Sequence, residues 1–244
     1  MLRSLNNLTS FAIRATDGEI GKVHSFLFDG SKWIIRYLVA DTGTWLPGRK
    51  VLIAATALGE PNWDGRVFPV ALTRDQVKNA PGIEVDKPVS RQREIELHQY
   101  YNWVPYWGGA FGPVTMTAPP KAESEKEVAE AAKGDPNLRM TREVKGYRIH
   151  ASDGDIGHVD DFIASDEDWV IRYLVVDTRN WLPGRSVLIS PEWVREISWG
   201  EKRVHVEVAR KQVEDSPPYD PSAPVNREYE IQMYDYYGRP KYWK

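Results

Sequence analysis

Shifted by 136 positions, the 244-residue chain lies over itself without a gap: residues 1–107 align with 137–243, and 42 of those pairs are identical. The longest shared passage is WIIRYLVADTGTWLPGR at 33–49, matched by WVIRYLVVDTRNWLPGR at 169–185 with 13 of 17 positions the same. A repeat of this length is too long for a solenoid unit and has the size of a small domain. Whatever the chain folds into, it must build the same thing twice. The expected organisation is a first domain at 1–107, a linker at 108–136 and a second domain at 137–243. The linker is Gly/Pro/Thr-rich at its start and charged and Ala-rich in its middle, which reads as a flexible spacer with one short exposed helix near 123–133.

Within one copy the local signals are those of short strands. Asp17-Gly18, repeated as Asp153-Gly154, separates two β-like runs and predicts a hairpin. Gly21 and Gly157 follow, where a bulge or a close backbone approach is expected. The run WIIRYLVADT is β-branched, aromatic and free of breakers, so it predicts a long central strand. Trp33, Ile35, Tyr37 and Val39 fall on one face, and Ile34, Arg36, Leu38 and Ala40 on the other. Neither face is polar, so both are expected to be covered. Pro47-Gly48 suits the centre of a tight turn. KVLIA predicts a further strand, and RVFPV, matched by RVHVEV, a weaker one. Frequent turns between short strands argue for a small barrel or sandwich.

Each copy then becomes helical. Thr73 caps a short helix that ends at Pro81, and Ser90 caps a second over RQREIELHQYY, with Asn226 at the matching position. Both copies close on a Tyr-Trp pair, Tyr106-Trp107 and Tyr242-Trp243, expected to dock on their own domain.

Composition bounds the function. The chain is 41% hydrophobic and 27% charged, with 10 Trp and 12 Tyr, so a substantial core is available. A net charge of -3 does not favour nucleic acid. The absence of cysteine excludes disulfides, thiolate metal sites and a cysteine nucleophile. The first fifteen residues hold no apolar run of signal-peptide length, and no stretch reaches the roughly 18 apolar residues of a membrane span. A soluble cytoplasmic chain with no transmembrane segment is the expectation. Charge divides the copies: 13 Lys/Arg against 11 Asp/Glu in residues 1–107, 15 against 19 in residues 137–243. One scaffold thus presents two surfaces, which favours different partners or contact between the copies.

The polar residues present in both copies are the candidate site. They include Arg36, Asp41, Trp45 and Arg49, with Arg172, Asp177, Trp181 and Arg185 at the matching positions. Arg36 lies on an otherwise apolar face and is expected to pair with a carboxylate of its own domain, Asp41 or Glu94, because an unpaired buried charge is costly. The alternative is a pocket in which Arg36 contacts an anion. Asp41-Thr42 ends a strand, where an Asp side chain bonds nearby backbone N–H groups. Catalysis by Asp41 needs a second acid or base, and the copies share none. Of the five histidines, His24 and His98 in the first copy and His150, His158 and His205 in the second, none aligns with another, so an inherited histidine-based site is not expected. His150 and His158 with Asp160 and Asp161 are metal-ligand types confined to the second copy. Their spacing matches no strong motif, and a solvated acidic hairpin is the favoured reading. Phosphate-loop, dinucleotide and serine-hydrolase motifs are missing. No catalytic residue, cofactor or metal is expected.

Three passages carry a family resemblance: A-[ST]-D-G-[ED]-I-G-x-V-x-x-F, W-x-I-R-Y-L-V-x-D-T-x-x-W-L-P-G-R-x-V-L-I, and P-V-x-R-x-x-E-I-x-x-x-x-Y-Y. They resemble the PRC-barrel family, which includes the cytoplasmic domain of the photosynthetic reaction centre H subunit, and the likeness covers most of both copies. It implies a mainly β chain of two tandem small barrels, each followed by short C-terminal α-helices. It implies assembly and protein–protein contact rather than enzymatic turnover, with a homodimer or packing of barrel on barrel. The H subunit's transmembrane helix and the extra N-terminal domain of the related ribosome-maturation factor have no equivalent here, so neither role carries over. The expected function is therefore a non-enzymatic interaction or assembly module with a protein partner. A small-ligand or metal-binding sensor, and a peripheral accessory factor of a photosynthetic or other membrane complex, are the alternatives.

Overall fold

Turn chemistry sets out the strands. In the computed structural model, which describes residues 1–82, 89–107, 138–178 and 185–243, the two copies follow one order of elements apart from a strand added in the second. The first copy holds β1 (Leu2–Ser4), α1 (Leu5–Leu8), β2 (Ala12–Ala15), β3 (Gly18–Asp29), β4 (Ile34–Asp41), β5 (Lys50–Ala54), β6 (Val67–Pro69), α2 (Arg74–Asn79) and α3 (Arg91–Tyr101). The second holds β7 (Leu138–Met140), α4 (Thr141–Val144), β8 (Arg148–Ala151), β9 (Gly154–Ser165), β10 (Ile171–Asp177), β11 (Ser186–Ile189), β12 (Val194–Ser198), β13 (Arg203–Val206), α5 (Arg210–Asp215) and α6 (Arg227–Tyr237). The chain is mainly β, with short helices at the end of each copy. The proposed linker and its helix lie outside the described residues, as does Trp181.

The expected hairpin forms with Thr16 and Asp17 at its turn, Ala15 facing Gly18. Gly21 has φ +134°, and an ideal Cβ there would collide with the Asp41 carbonyl oxygen. Gly157 repeats this against Asp177, and a register shift marks both hairpins. Only a residue without Cβ lets the long strand pass so close to the end of β4 or β10. The Pro47-Gly48 turn closes with Arg49 N–H on the Leu46 carbonyl at 3.1 Å, and Gly48 takes φ +73°. That positive φ is what the third position of such a turn demands.

Two sheets result. A six-stranded sheet runs β5-β4-β3-β2-β6, with β7 also on β3; a seven-stranded sheet runs β11-β10-β9-β8-β13-β12, with β1 also on β9. β6 is parallel to β2 and β13 parallel to β8. The two ends of each path are not paired with one another among the described residues. β12 is a second-copy addition that the sequence reading did not anticipate.

The described residues gather into two units that do not follow the repeat boundary. One consists of Met1–Ser10, Ser25–Arg36 and Met140–Lys244; the other of Phe11–His24 and Tyr37–Arg139. The first unit therefore includes two segments of the first copy. There Leu2, Arg3 and Ser4 face Ser165, Ala164 and Ile163 of β9. Its core includes Leu8, Phe28, Phe162, Tyr173, Trp193 and Tyr234, all essentially buried. Trp33 and Trp169 sit there at φ +58° and +55°, a rare conformation for bulky residues. The second unit is built on Ile13, Ile20, Tyr37, Leu52, Phe68 and Leu97, each 0% exposed. Burying one such side chain contributes about 1.5–3 kcal/mol. Both faces of β4 are covered from Tyr37 to Ala40, as the apolar alternation requires.

Candidate functional site

The most developed polar arrangement is a buried carboxylate cluster made twice. Ser90 caps α3 by accepting from Arg93 N at 3.2 Å, and this sets Glu94 on the buried side of the helix. Glu94 is 0% exposed. Its Oε1 accepts from the Tyr37 hydroxyl at 2.9 Å and from the Tyr106 hydroxyl at 2.7 Å, and Arg91 Nη1 lies 2.8 Å from its Oε2. The Arg91 guanidinium covers the rings of Tyr106 and Trp107 at 5.6 and 4.4 Å. In the other unit, Glu230 Oε1 accepts from Tyr173 at 2.6 Å and Tyr242 at 2.7 Å. Arg227 lies 2.9 Å from Glu230 and covers Trp243 at 4.2 Å.

Electrostatics makes this a lock. Burial, reinforced by Glu94, pushes the Tyr37 and Tyr106 hydroxyls far above the usual phenol range. Burial and the hydrogen bond to Glu230 do the same to Tyr173. Phenols held protonated serve as donors to a carboxylate, not as bases or nucleophiles. The cluster ties the last helix and the Tyr-Trp tail to the central strand, so the tails dock on their own copies. A cue was present in sequence: Tyr37, Arg91, Glu94 and Tyr106 all recur 136 residues later.

The other repeated polar residues are also engaged. Arg36 Nη2 lies 3.2 Å from Asp29 Oδ2, a carboxylate of its own copy but neither Asp41 nor Glu94. Two hydrogen bonds from Ser31 and one from Arg36 outweigh burial and hold the Asp29 carboxyl below the usual range. Arg172 bonds Asp168 and lies over the Tyr242 ring at 4.5 Å. Position 29 is Ser165 in the second copy, so the two arginines find different acids. Asp41 Oδ1 accepts from Gly43 N at 2.9 Å, the turn cap expected of it. Asp177 is 4% exposed and 3.7 Å from His158 Nε2. Arg49 donates to the carbonyls of Lys78 and Ala80, and Arg185 to that of Glu214 at 2.5 Å. A cation at the carbonyl end of a helix is favourable. Trp45 carries the Arg74 guanidinium 4.9 Å above its ring, while Asp17 caps Arg74 N at 2.7 Å.

His150, His158, Asp160 and Asp161 are not brought together. His150 bonds Asp155, His158 faces Asp177, and Asp160 pairs with Lys145 at 3.4 Å. Asp161 is buried and accepts from Ser4 Oγ at 2.5 Å, Asn6 N at 3.0 Å and Phe162 N at 2.7 Å. Among the described residues no three His, Asp or Glu side chains converge on a metal-sized point. No helix of the described residues is long and apolar enough to cross a membrane. Compared with protein-family models and with curated proteins, the sequence matches none.

Proposed function

We propose that the chain is a non-enzymatic protein of tandem PRC-barrel type, acting as an interaction or assembly module with a protein partner. The observation that supports this is the fate of the repeated polar residues. Asp17, Arg49, Arg91 and Glu94 and their partners 136 positions on form matching internal bonds, so what the copies share is scaffold. Part of what differs is exposed charge. Along the outer face of α6 lie Glu228 and Asp235, where α3 carries Gln92 and Gln99. Charge of one sign on one copy selects partners and steers their approach more than it adds affinity.

The test is affinity capture of the full chain from its own cells after cross-linking, with helix-face variants. Recovery of a partner should fall with Glu228→Gln and Asp235→Gln together and persist with Gln92→Glu and Gln99→Asp. A partner list indifferent to both pairs, or turnover of a small substrate by the pure chain, would overturn the reading.

A further inference from the structure

We propose that the second copy binds a borderline divalent metal ion, Zn²⁺, Ni²⁺ or Cu²⁺, through His150 and His205, with Asp155 orienting the first of them. The residues reach one another through strand register. His150 on β8 is the register partner of Asp155 on β9 and of His205 on β13. His205 is in turn the partner of Glu196 on β12. Register partners project from the same face of a sheet. Asp155, His150, His205 and Glu196 thus form one row across four adjacent strands, with both carboxylates exposed.

The two imidazole rings are 5.5 Å apart between centroids and inclined at 70°. Rotation about the side-chain bonds from this separation lets a nitrogen of each ring meet one ion at the roughly 2.0–2.1 Å of a metal–imidazole bond. His150 Nδ1 lies 2.8 Å from Asp155 Oδ1. A carboxylate oxygen accepts, so Nδ1–H is the donor in this contact. Nε2 of His150 is then the nitrogen left to ligate. A carboxylate behind a histidine is the usual outer support of a metal ligand. The His205 ring makes no hydrogen bond among the described residues, so neither nitrogen has to be released.

Imidazole selects zinc, nickel and copper over magnesium and calcium, which prefer all-oxygen sites. Arg148 and Arg203, two positions along the same strands, oppose a cation. Asp155 and Glu196 on the flanks offset them, and the remaining coordination positions fall to water. Duplication supplies an internal control. The first copy has Arg14 and Pro69 in place of the two histidines and Glu19 in place of Asp155, in the same register. The feature is thus an addition to a shared scaffold.

Titration of the tag-free full chain with Zn²⁺, followed by calorimetry and by NMR of the imidazole signals, tests this. A single equivalent is expected to bind, with the His150 and His205 signals moving first and Mg²⁺ giving no response. His150→Asn and His205→Asn should each abolish that equivalent, and Asp155→Asn should weaken it about 10-fold or more. His158→Asn should leave it unchanged. Zinc affinity that survives the double His150→Asn/His205→Asn variant, or a wild-type chain that takes up no zinc, would overturn the site. Circular dichroism of each variant separates lost binding from lost fold. Partner capture is scored independently, so either proposal can fail alone.

Discussion

The backbone N–H of Ile35 donates to the Trp169 carbonyl at 2.8 Å, and the N–H of Ile171 returns the bond to the Trp33 carbonyl at 2.7 Å. Ile34 and Val170 form the antiparallel bridge between them. The two tryptophans are 136 positions apart, as are the two isoleucines, so the exchange is reciprocal between matching residues. Their left-handed φ turns each carbonyl out of its own strand and toward the other segment.

An exchange between equivalent residues can also be made by two identical copies. Residues 137–243 alone would lack β1 and Trp33, yet carry Leu138-Arg139, identical to Leu2-Arg3, as well as Trp169 and Ile171. This fragment is expected to sediment as a dimer. A monomer with full near-UV circular dichroism would refute the expectation.

The carboxylate lock should dominate the stability of the last helix. Replacing Glu94 by Ala leaves the partly buried Arg91 without its anion and the Tyr106 hydroxyl without its acceptor. The expected loss is about 3–5 kcal/mol, the cost of breaking a buried pair from one side. Tyr106→Phe removes the hydroxyl that donates to Glu94 and accepts from Arg91, and should cost about 1–2 kcal/mol. Urea unfolding of Glu94→Ala, Tyr106→Phe and the matching Glu230→Ala and Tyr242→Phe checks both the size and the symmetry.

His98 makes one unit sensitive to acid. It is 5% exposed, with Nε2 2.8 Å from the Tyr37 hydroxyl. Facing it are Tyr37 from β4, Arg91 from α3, and Trp103, Tyr106 and Trp107 from the tail. Burial, aided by Arg91, lowers its folded pKa below 6.5. The unfolded chain therefore binds the proton more readily. Stability is present above 6.5 and falls as the pH drops from there toward the folded value. His98→Gln should flatten that dependence. Amide exchange within residues 37–107, followed across this range, reads it directly.

Asp161 acts in the opposite sense on the other unit. Burial outweighs its three donors and Lys145 and raises its pKa from 3.8 to about 6. Here the folded state holds the proton more tightly. The stabilisation is complete below 3.8 and is lost as the pH rises through about 6. Asp161→Asn should remove this slope while keeping an acceptor for Ser4 and Asn6. Protection factors in residues 1–10 and 140–178, taken against the intrinsic exchange rate at each pH, that rise with mild acid in the wild type and not in the variant are the expected result.

Much of this was legible because its causes are local. Ser90, Asn226 and Thr73 cap helices through bonds to residues three positions on. Asp41 and Pro47-Gly48 close turns within a few residues, and Gly21 declares a close approach by lacking a side chain. The partner of Arg36 was misread because Asp29 lies across a hairpin, and apolar alternation does not say which acid a bend will deliver. The row from Asp155 to Glu196 was hidden because it needs four strands in one register, including a parallel pair and a strand absent from the first copy.

By itself, the sequence determined that one scaffold is written twice, where its turns and caps fall, and which polar residues the copies hold in common. It could not determine which copy's segment completes which sheet. Leu2-Arg3 and Leu138-Arg139 are chemically the same pair, and local propensity treats them alike. Tertiary structure breaks the tie through long-range contacts: Ser4 and Asn6 on Asp161 in one place, Thr141 on Ser25 at 3.1 Å in the other. A free-energy difference between such pairings exists only once the distant strands have met, so no window of sequence contains it.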